Sequence, residues 1–378
     1  MRGPRFSFPA VPSALPPVTA PLANPDSRHR DTAPRRTLVT GGAGFIGSHL
    51  VERLLATGDA VTVVDDFSTG RRANLAAVAA HPGLTLVEGD LASTLAGPLR
   101  SARFDRVFHL AAAVGVQLVV DRPIECIETN VFQTAEVLRY ASACAPAGGP
   151  AAVLIASSSE VYGKSERTPF AEDDDVVYGP TTKARWSYAA TKAIDEYLAL
   201  AHHREHGLPA VVVRFFNTVG PRQVGDYGMV LPRFIELALA GAPLRVHGDG
   251  SQVRCFCDVR DVVPALCRLL ETPACAGRVF NLGSDTELTI AQLAAAVVST
   301  LGSRSVIEHV PYDQAFGPGF EDLKRRRPDL SRIHAAIGFR PTIPLEQTIL
   351  DIARHFTNSQ DASRPLPAGT PGEGSNKR

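Results

Sequence analysis

LVTGGAGFIGSHL, at Leu38–Leu50, is the stretch from which the rest of this sequence can be interpreted. A short apolar strand runs into three glycines, Gly41, Gly44 and Gly47, and a helical pattern follows. Glycine at these points allows a tight turn, a close approach of a pyrophosphate to the backbone, and close packing of helix and strand. The free N–H groups at the helix start can then hold the phosphates. The spacing predicts a dinucleotide-binding turn.

The second strand supports the same interpretation. It covers Ala60–Asp65 and ends on an acid 18 residues after Gly47. A carboxylate at this distance is placed to bind the ribose 2′-hydroxyl of NAD. A glycine motif alone would be weak evidence, but strand, turn, helix, strand and acid together predict NAD as the cofactor.

Composition excludes several classes of protein. The 378 residues are 44% hydrophobic and 21% charged, as in a globular enzyme, and 39 basic residues balance 39 acidic ones. This balance indicates no nucleic-acid surface, and no apolar run has the length of a membrane span. The six cysteines form no C-x₂-C pair, so we expect no metal site and no disulfide framework. A reducing cytoplasm is therefore the expected location.

Apolar runs alternate with helical patterns from Arg36 onward, which predicts an α/β fold with a Rossmann-type, doubly wound parallel sheet. The elements after Phe215 are shorter and mixed, which predicts a smaller mixed α/β C-terminal region that binds the substrate. We divide the chain into a disordered extension (1–35), an NAD-binding Rossmann domain (36–215, with 253–272 returning to it), a substrate region (216–252 and 273–357) and a disordered tail (358–378).

Three clusters of reactive side chains follow predicted strands or open a helix. They are SSSEVYG (Ser157–Gly163), the pair Tyr188 and Lys192, and Asn217. Tyr and Lys four residues apart share one helix face, and an ammonium group favours ionisation of a nearby phenol. With the Ser158 hydroxyl, they could take a proton from an alcohol while hydride leaves its carbon for NAD.

These motifs resemble the extended short-chain dehydrogenase/reductases, in particular the nucleotide-sugar epimerase/dehydratase group. The matching segments are TGGAGFIG (Thr40–Gly47), VVDDFSTG (Val63–Gly70), GDL (Gly89–Leu91), HLAA (His109–Ala112), SSSEVYG, YAATK (Tyr188–Lys192), RFFNTVGPR (Arg214–Arg222) and GDGSQVRCF (Gly248–Phe256). The resemblance implies a nucleotide-sugar substrate. It also implies a homodimer that packs through helices near Cys126–Cys144 and Ser187–His206.

The resemblance also implies roles for individual residues. Ser158, Tyr188 and Lys192 would form a catalytic triad. The NAD-binding residues would be Gly41, Gly44, Phe45, Ile46, Gly47, Asp65, Asp90, Leu91, Ala111, Tyr188 and Lys192, and the substrate-binding residues would be Ser159, Arg185, Asn217 and Arg254. An arginine suits a diphosphate because its planar fork binds two oxygens.

The reaction depends on residues outside the triad. S-E-V-Y-G, with Glu160, resembles UDP-glucuronate decarboxylases, as does GPTTKARWSYAATK (Gly179–Lys192). In FEDLKRRRPD (Phe320–Asp329), the resemblance maps an active-site arginine to Arg326. Oxidation of C4 of a glucuronate makes a ketone β to the C6 carboxylate, and such an acid loses CO₂ readily. We therefore expect decarboxylation of UDP-glucuronate to UDP-xylose or its 4-keto pentose, with Glu160 and Arg326 taking part in catalysis.

Other functions stay open at this point. After HLAA, the decarboxylases commonly carry proline and tyrosine, whereas Ala113–Val120 reads AVGVQLVV. This segment could suit a sugar without a carboxylate, which favours a 4-epimerase, and a 4,6-dehydratase is a further alternative. A non-catalytic sensor on this fold would usually lack Tyr188 or Lys192, and both are present.

Overall fold

The computed structural model describes residues 33–113, 121–145, 148–225, 229–311 and 325–358. Some of the sequence interpretations concern residues outside these ranges. They are the extension at 1–32, the tail from 359, residues 114–120 of the AVGVQLVV segment, the loop residues 226–228 and residues 320–324 of the arginine-rich segment.

A seven-stranded parallel sheet forms the centre of the fold, in the order β3-β2-β1-β4-β5-β6-β11. Short strand pairs β10–β7, β12–β9 and β13–β8 lie outside it. The described strands are β1 (Arg36–Thr40), β2 (Ala60–Asp65), β3 (Leu84–Glu88), β4 (Arg106–His109), β5 (Ala152–Ser158), β6 (Ala210–Phe215), β7 (Thr218–Val219), β8 (Leu244–His247), β9 (Val253–Cys255), β10 (Cys257–Asp258), β11 (Arg278–Leu282), β12 (Glu287–Thr289) and β13 (Ile307–Val310). The predicted doubly wound parallel sheet is confirmed.

Helices cover both faces of this sheet. The described helices are α1 (Phe45–Ala56), α2 (Leu91–Ala96), α3 (Pro123–Ala141), α4 (Arg185–His206), α5 (Val230–Leu239), α6 (Val259–Glu271), α7 (Ile290–Leu301), α8 (Ser331–Ile337) and α9 (Leu345–Asn358). Among the described residues, no helix combines the length and the apolar character that a membrane span requires.

Strand residues alternate between two hydrophobic cores. Val39, Val63 and Phe108 pack with α1 and α6 on one face of the sheet. Leu38 and Val107 pack with α2, α3 and α4 on the other face. Because the central strands are buried on both faces, they read as continuous apolar runs, which is why the sequence identified them.

A third core belongs to the C-terminal half. It joins α5, α7 and α9 with β8, and its buried residues include Leu231, Leu244, Leu293 and Ile349. The central sheet nevertheless includes β11, which lies inside the segment 273–357 that we assigned to the substrate region. The division into an NAD-binding and a substrate-binding part stays a prediction.

The apolar run Val253–Asp258 has the pattern of a single strand, but the structure divides it into β9 and β10. β9 pairs antiparallel with β12, whereas β10 pairs parallel with β7. The chain changes partner at Phe256, so one apolar run serves two sheets. Periodicity along a run cannot show such a change, because it depends on which strands lie alongside.

Candidate active site

The glycine turn joins β1 to α1 and leaves no room for side chains at two positions. Gly41 has a φ of +70°, and a Cβ there would lie 2.7 Å from the backbone nitrogen of Ala111. A Cβ on Gly47 would lie 2.2 Å from the carbonyl oxygen of Gly41. These two glycines are therefore required by the fold itself, because each brings two backbone segments into contact.

Gly44 differs from the other two glycines. It is the N-cap residue of α1 and makes no side-chain capping hydrogen bond. A Cβ at Gly44 would meet only the Gly41 oxygen, at 3.2 Å. The missing side chain thus leaves space in front of the α1 N-terminus, where backbone N–H groups can bind phosphate. This cradle fits the pyrophosphate of a dinucleotide, and Phe45 and Ile46 begin the helix behind it.

Asp65 ends β2 beside the same turn. Its carboxylate accepts hydrogen bonds from the backbone N–H groups of Ala43, at 2.8 Å, and Phe67, at 2.9 Å. Burial raises the pKa of Asp65 in spite of these bonds. At the next strand end, Asp90 caps α2 through the Ser93 N–H at 2.9 Å, and Leu91 is buried. The two backbone hydrogen bonds thus hold the Asp65 carboxylate at the sheet edge where the ribose of NAD would lie.

Ser158 and Tyr188 meet at the carboxyl end of β5. Ser158 is the last residue of β5 and caps the 3₁₀ helix Ser159–Tyr162. Tyr188 lies in the first turn of α4, and its hydroxyl is hydrogen-bonded to Ser158. Burial and the charge of Glu160 raise the pKa of Tyr188, and the Ser158 hydrogen bond opposes them only in part. The phenol is therefore protonated until a positive charge favours its ionised form.

Lys192 lies one turn after Tyr188 and is only 2% exposed. Its ammonium group donates to Asp195 Oδ2 at 2.9 Å. The sequence analysis did not identify Asp195, although its spacing of three residues on a helix places it beside Lys192.

Glu160 lies between two arginines that come from distant parts of the chain. Arg185 Nη1 donates to Glu160 Oε2 at 3.0 Å, and Arg326 forms an ion pair with Glu160 Oε1. All three side chains are largely buried, between 11% and 17% exposed. The structure therefore joins three of the predicted site residues in one cluster, which we call the Glu160 cluster.

The backbone explains how Arg326 reaches this cluster. Arg325 forms a β-bridge with Val253, and Pro328 forms one with Phe170. The Phe170 N–H also donates to the Arg327 oxygen at 2.8 Å. These contacts hold the arginine segment against two elements, so the three consecutive arginines have different environments. Arg325 is exposed and pairs with Glu287, whereas Arg326 is buried against Glu160.

The charge state of Glu160 follows from its neighbours. Burial would raise the pKa of this carboxyl, but the charges and hydrogen bonds of Arg326 and Arg185 outweigh burial and lower the pKa to about 2. Glu160 is thus a carboxylate at neutral pH. It can accept hydrogen bonds, but it has no proton to donate.

The remaining predicted substrate residues lie near β9. Asn217 follows β6 and donates to the Cys255 oxygen at 3.1 Å, which places it beside the strand that carries Arg254. Arg254 is 9% exposed and donates to the Val253 oxygen at 2.9 Å. Ser159 is buried, 4% exposed, between Ser158 and Glu160. The roles of these three residues in substrate binding stay predictions.

A buried ion pair that the sequence analysis missed holds the site together. Arg214 on β6 donates to both oxygens of Glu196 on α4, at 2.9 and 2.7 Å. The Ser157 hydroxyl on β5 donates to the same carboxylate at 2.5 Å. These bonds fasten the helix with Tyr188 and Lys192 to the strand with Ser158. Residue types alone give no signal for this pair, because Arg214 and Glu196 read as ordinary charged residues.

Comparisons with known proteins extend the description of this site. The sequence profile of the NAD dependent epimerase/dehydratase family matches residues 37–283. UDP-N-acetyl-alpha-D-glucosaminuronate decarboxylase of Bacillus cytotoxicus is 39% identical over 326 residues, which cover 85% of this chain and 98% of that protein. UDP-glucuronic acid decarboxylase 1 of Danio rerio is 35% identical over 323 residues, 85% of this chain and 73% of that protein.

One solved structure adds to these relatives. DesIV, a dTDP-glucose 4,6-dehydratase from Streptomyces venezuelae crystallised with NAD and TYD bound, has a TM-score of 0.74 and 31% identity. The match covers 86% of this chain and 97% of that chain. The similarity therefore extends well beyond the nucleotide-binding turn.

Proposed function

Because the chain belongs to the NAD dependent epimerase/dehydratase family, we propose that it decarboxylates a UDP-linked uronic acid by oxidation at C4, loss of CO₂ and re-reduction. The predicted cofactor, NAD, is confirmed by the family and by NAD in the DesIV structure. UDP-glucuronate is the substrate we expect, with UDP-xylose or its 4-keto pentose as product.

One observation carries this proposal: two buried arginines pair with Glu160, whose backbone N–H is bonded to the Ser158 hydroxyl and whose charge acts on Tyr188. In this cluster two guanidinium groups face the single carboxylate of Glu160, so its positive charges outnumber its negative charge and favour an anionic group on the substrate. The C6 carboxylate of a uronic acid is such an anion, and a guanidinium can bind its two oxygens side by side. Relatives named as decarboxylases of two UDP-uronates support the same assignment.

The first step is removal of a proton from the C4 hydroxyl. Tyr188 takes this proton as its phenolate, and Ser158 donates a hydrogen bond to the same oxygen. Lys192, on the same face of α4, supplies the positive charge that favours the phenolate. NAD, when bound, accepts the hydride from C4 and later returns it.

The second step is loss of CO₂ from the resulting β-keto acid. The C5–C6 bond breaks, and its electron pair moves towards the C4 oxygen, where Tyr188 and Ser158 donate hydrogen bonds to the enolate. Arg326 would orient the carboxylate before this step. C5 then takes up a proton, which water held by the Glu160 carboxylate would deliver.

The state of Glu160 favours decarboxylation over the alternatives. A 4,6-dehydratase must protonate a departing C6 hydroxyl, and a carboxyl whose pKa is lowered to about 2 is a poor acid for this. A neutral sugar, the substrate of many 4-epimerases, has no carboxylate for Arg185 and Arg326 to bind.

The test is to incubate the purified protein and NAD with UDP-glucuronate and, separately, with UDP-N-acetylglucosaminuronate, and to follow the products by mass spectrometry. We expect a product that has lost the mass of CO₂. The two substrates differ at C2, so the ratio of their rates identifies the preferred sugar. Products of unchanged mass would replace this proposal with 4-epimerisation. UDP-glucose is tested as a third substrate, and loss of water from it would replace the proposal with dehydration.

A variant pair makes the test specific to the arginines. Arg326→Gln removes the buried cation, whereas Arg325→Gln removes its exposed neighbour, which pairs with Glu287. We expect only Arg326→Gln to lose CO₂ release. Equal loss in both variants would mean that the segment matters for folding and not for its charge in the site. The alternative of a non-catalytic sensor would be supported by two results together. The wild-type protein would convert none of these nucleotide sugars, and cells with Tyr188→Phe would behave like cells with the wild type.

We also propose that the protein is a homodimer and is cytoplasmic. Large apolar side chains on the packed pair α3 and α4 are exposed, namely Ile124, Ile127, Phe132, Ile194 and Tyr197. An exposed apolar group of this kind is typical of a protein interface. The six cysteines are free and buried, which supports a reducing compartment.

Light scattering after gel filtration tests the dimer. Phe132→Lys and Tyr197→Lys should yield monomers, whereas Val306→Lys, an equally exposed site before β13, should leave the dimer intact. A wild-type protein that is monomeric at all concentrations would contradict the proposal.

A further inference from the structure

Lys192 does not lie in a polar, open pocket but in a buried ion pair. Its ammonium donates to Asp195 Oδ2 at 2.9 Å, and the two residues are 2% and 0% exposed. Asp195 Oδ1 is buried and has no hydrogen-bond partner among the described residues. Burial of a carboxylate costs free energy unless an opposite charge lies beside it. For Asp195 that opposite charge is the Lys192 ammonium.

The other polar groups around this pair carry no negative charge that could balance the Lys192 ammonium in place of Asp195. His109, on β4, lies between Thr40 Oγ1 at 2.8 Å and Thr134 Oγ1 at 3.2 Å. Burial and then Lys192 lower the pKa of His109 to about 3, so the imidazole is neutral near neutral pH. Thr134, on α3, also lies beside Asp195 and lowers the pKa of its carboxyl.

Three further titratable groups lie near the pair, one on α4 itself and two on neighbouring elements. Glu196, on α4, is bound by Arg214 and Ser157, and Glu160 is held by its two arginines. The Cys126 thiol, on α3, has a pKa raised by burial and is uncharged near neutral pH. Asp195 is thus the carboxylate in direct contact with the ammonium, and the other charged groups have strong partners of their own.

We propose that Asp195 is a positioning residue that holds the Lys192 ammonium in the helix and, by partly neutralising it, sets the pH at which Tyr188 can accept a proton. The inference rests on the C4 oxidation in the proposed function. It does not depend on decarboxylation, because each alternative reaction begins with the same oxidation.

The direction of the effect follows from the signs of the charges. The Asp195 carboxylate disfavours a second negative charge on Tyr188 and is among the groups that raise the pKa of this phenol. Asp195→Asn keeps the shape and removes the charge, so the ammonium acts on Tyr188 without a counter-ion. We expect ionisation of Tyr188 to move to lower pH by about one unit, the size expected for unit charges a few ångströms apart in a protein.

Two measurements test this. The first is the ultraviolet titration of tyrosinate in the protein alone, with the curve of the Tyr188→Phe variant of each background subtracted. The second is the pH profile of NADH appearance after mixing with a nucleotide sugar. Both should shift to lower pH in Asp195→Asn. Asp195→Glu, which keeps the charge, and Glu205→Gln, an exposed change of the same charge on α4, should match the wild type.

The outcomes separate this inference from the proposed function. A folded Asp195→Asn variant with unshifted curves would overturn the role of Asp195, even if CO₂ is released. A wild-type protein that releases no CO₂ would overturn decarboxylation, while the tyrosinate titration would still report on Asp195. Asp195→Ser is a second variant, for the case that the asparagine amide prevents folding. Serine leaves space for a water beside the Lys192 ammonium, and we expect both curves to shift to lower pH as in Asp195→Asn.

Discussion

The glycine turn at Gly41–Gly47 and the Glu160 cluster lie at the same edge of the sheet, yet they are built in different ways. The turn consists of backbone groups and small residues that are close together in the sequence. The cluster consists of three ionised side chains, and Arg326 comes from a segment far along the chain. We therefore expect a change in the turn to act on the fold and on cofactor binding, and a change in the cluster to act on charge and on the proposed reaction.

A separate buried ion pair attaches α4, the helix that carries Arg185 and Tyr188, to the sheet. Glu196 and Arg214 join α4 to β6, and Ser157 joins the same carboxylate to β5. This arrangement helps to keep Tyr188 beside Ser158 and uses none of the charges of the Glu160 cluster. Binding and chemistry can therefore be altered separately, and each prediction below makes use of that difference.

The largest expected effect is that of Tyr188→Phe. Loss of the hydroxyl removes the base from the C4 oxidation, and general bases contribute about 10²–10⁴-fold to rates. We expect turnover to fall by about 10³-fold with an unchanged melting temperature. Tyr197→Phe, an exposed tyrosine on the same helix, is the control. A Tyr188→Phe variant with more than a tenth of wild-type turnover, roughly, would exclude this residue as the base.

The two types of glycine should respond differently to alanine. Gly47→Ala places a Cβ 2.2 Å from the Gly41 oxygen, so the backbone of the turn must shift. We therefore expect the free energy of unfolding to fall by about 3 kcal/mol. Gly44→Ala meets only the same oxygen at 3.2 Å, so stability should change little while NAD affinity falls about tenfold. Thermal melts and NAD titrations measure these quantities. Equal losses of stability in both variants would contradict the distinction.

Arg326→Gln should separate the two halves of the reaction. C4 oxidation uses Tyr188 and Ser158, so NADH should still form at a rate within about tenfold of the wild type. CO₂ release should fall by about 10²-fold because the carboxylate is no longer oriented. Transient absorbance of NADH and mass spectrometry of the product report on the two steps. Parallel loss of both signals would place Arg326 in substrate binding instead.

The pH dependence of stability gives the smallest effect. The pKa of Glu160 is lowered from 4.5 to about 2 in the folded protein, so its contribution to stability is present above pH 4.5 and is lost as the pH falls towards 2. We expect the free energy of unfolding of the wild type to exceed that of Glu160→Gln by about 2 kcal/mol at neutral pH. This difference should become smaller as the pH falls. Urea unfolding at several pH values tests this. A difference that stays constant with pH would mean that the ion pairs do not stabilise the fold.

Local sequence determined the strands β1 to β6, the glycine turn and the positions of Asp65, Ser158, Tyr188 and Lys192 at strand ends or on a helix, since each depends on periodicity or spacing within a few residues. The split of Val253–Asp258 between two sheets escaped this reasoning because partner strands decide it. For the same reason, the sequence placed β11 outside the central sheet.

Tertiary structure alone decided how the distant charges meet. Three consecutive arginines read as one charged run, and only the β-bridges at Val253 and Phe170 turn Arg326 towards Glu160 and leave Arg325 exposed. Glu196 and Asp195 are adjacent acids in the sequence, but one pairs with Arg214 and the other with Lys192. The electrostatic effect of a charge depends on distance and burial, and both are set by how the chain folds and not by the order of its residues.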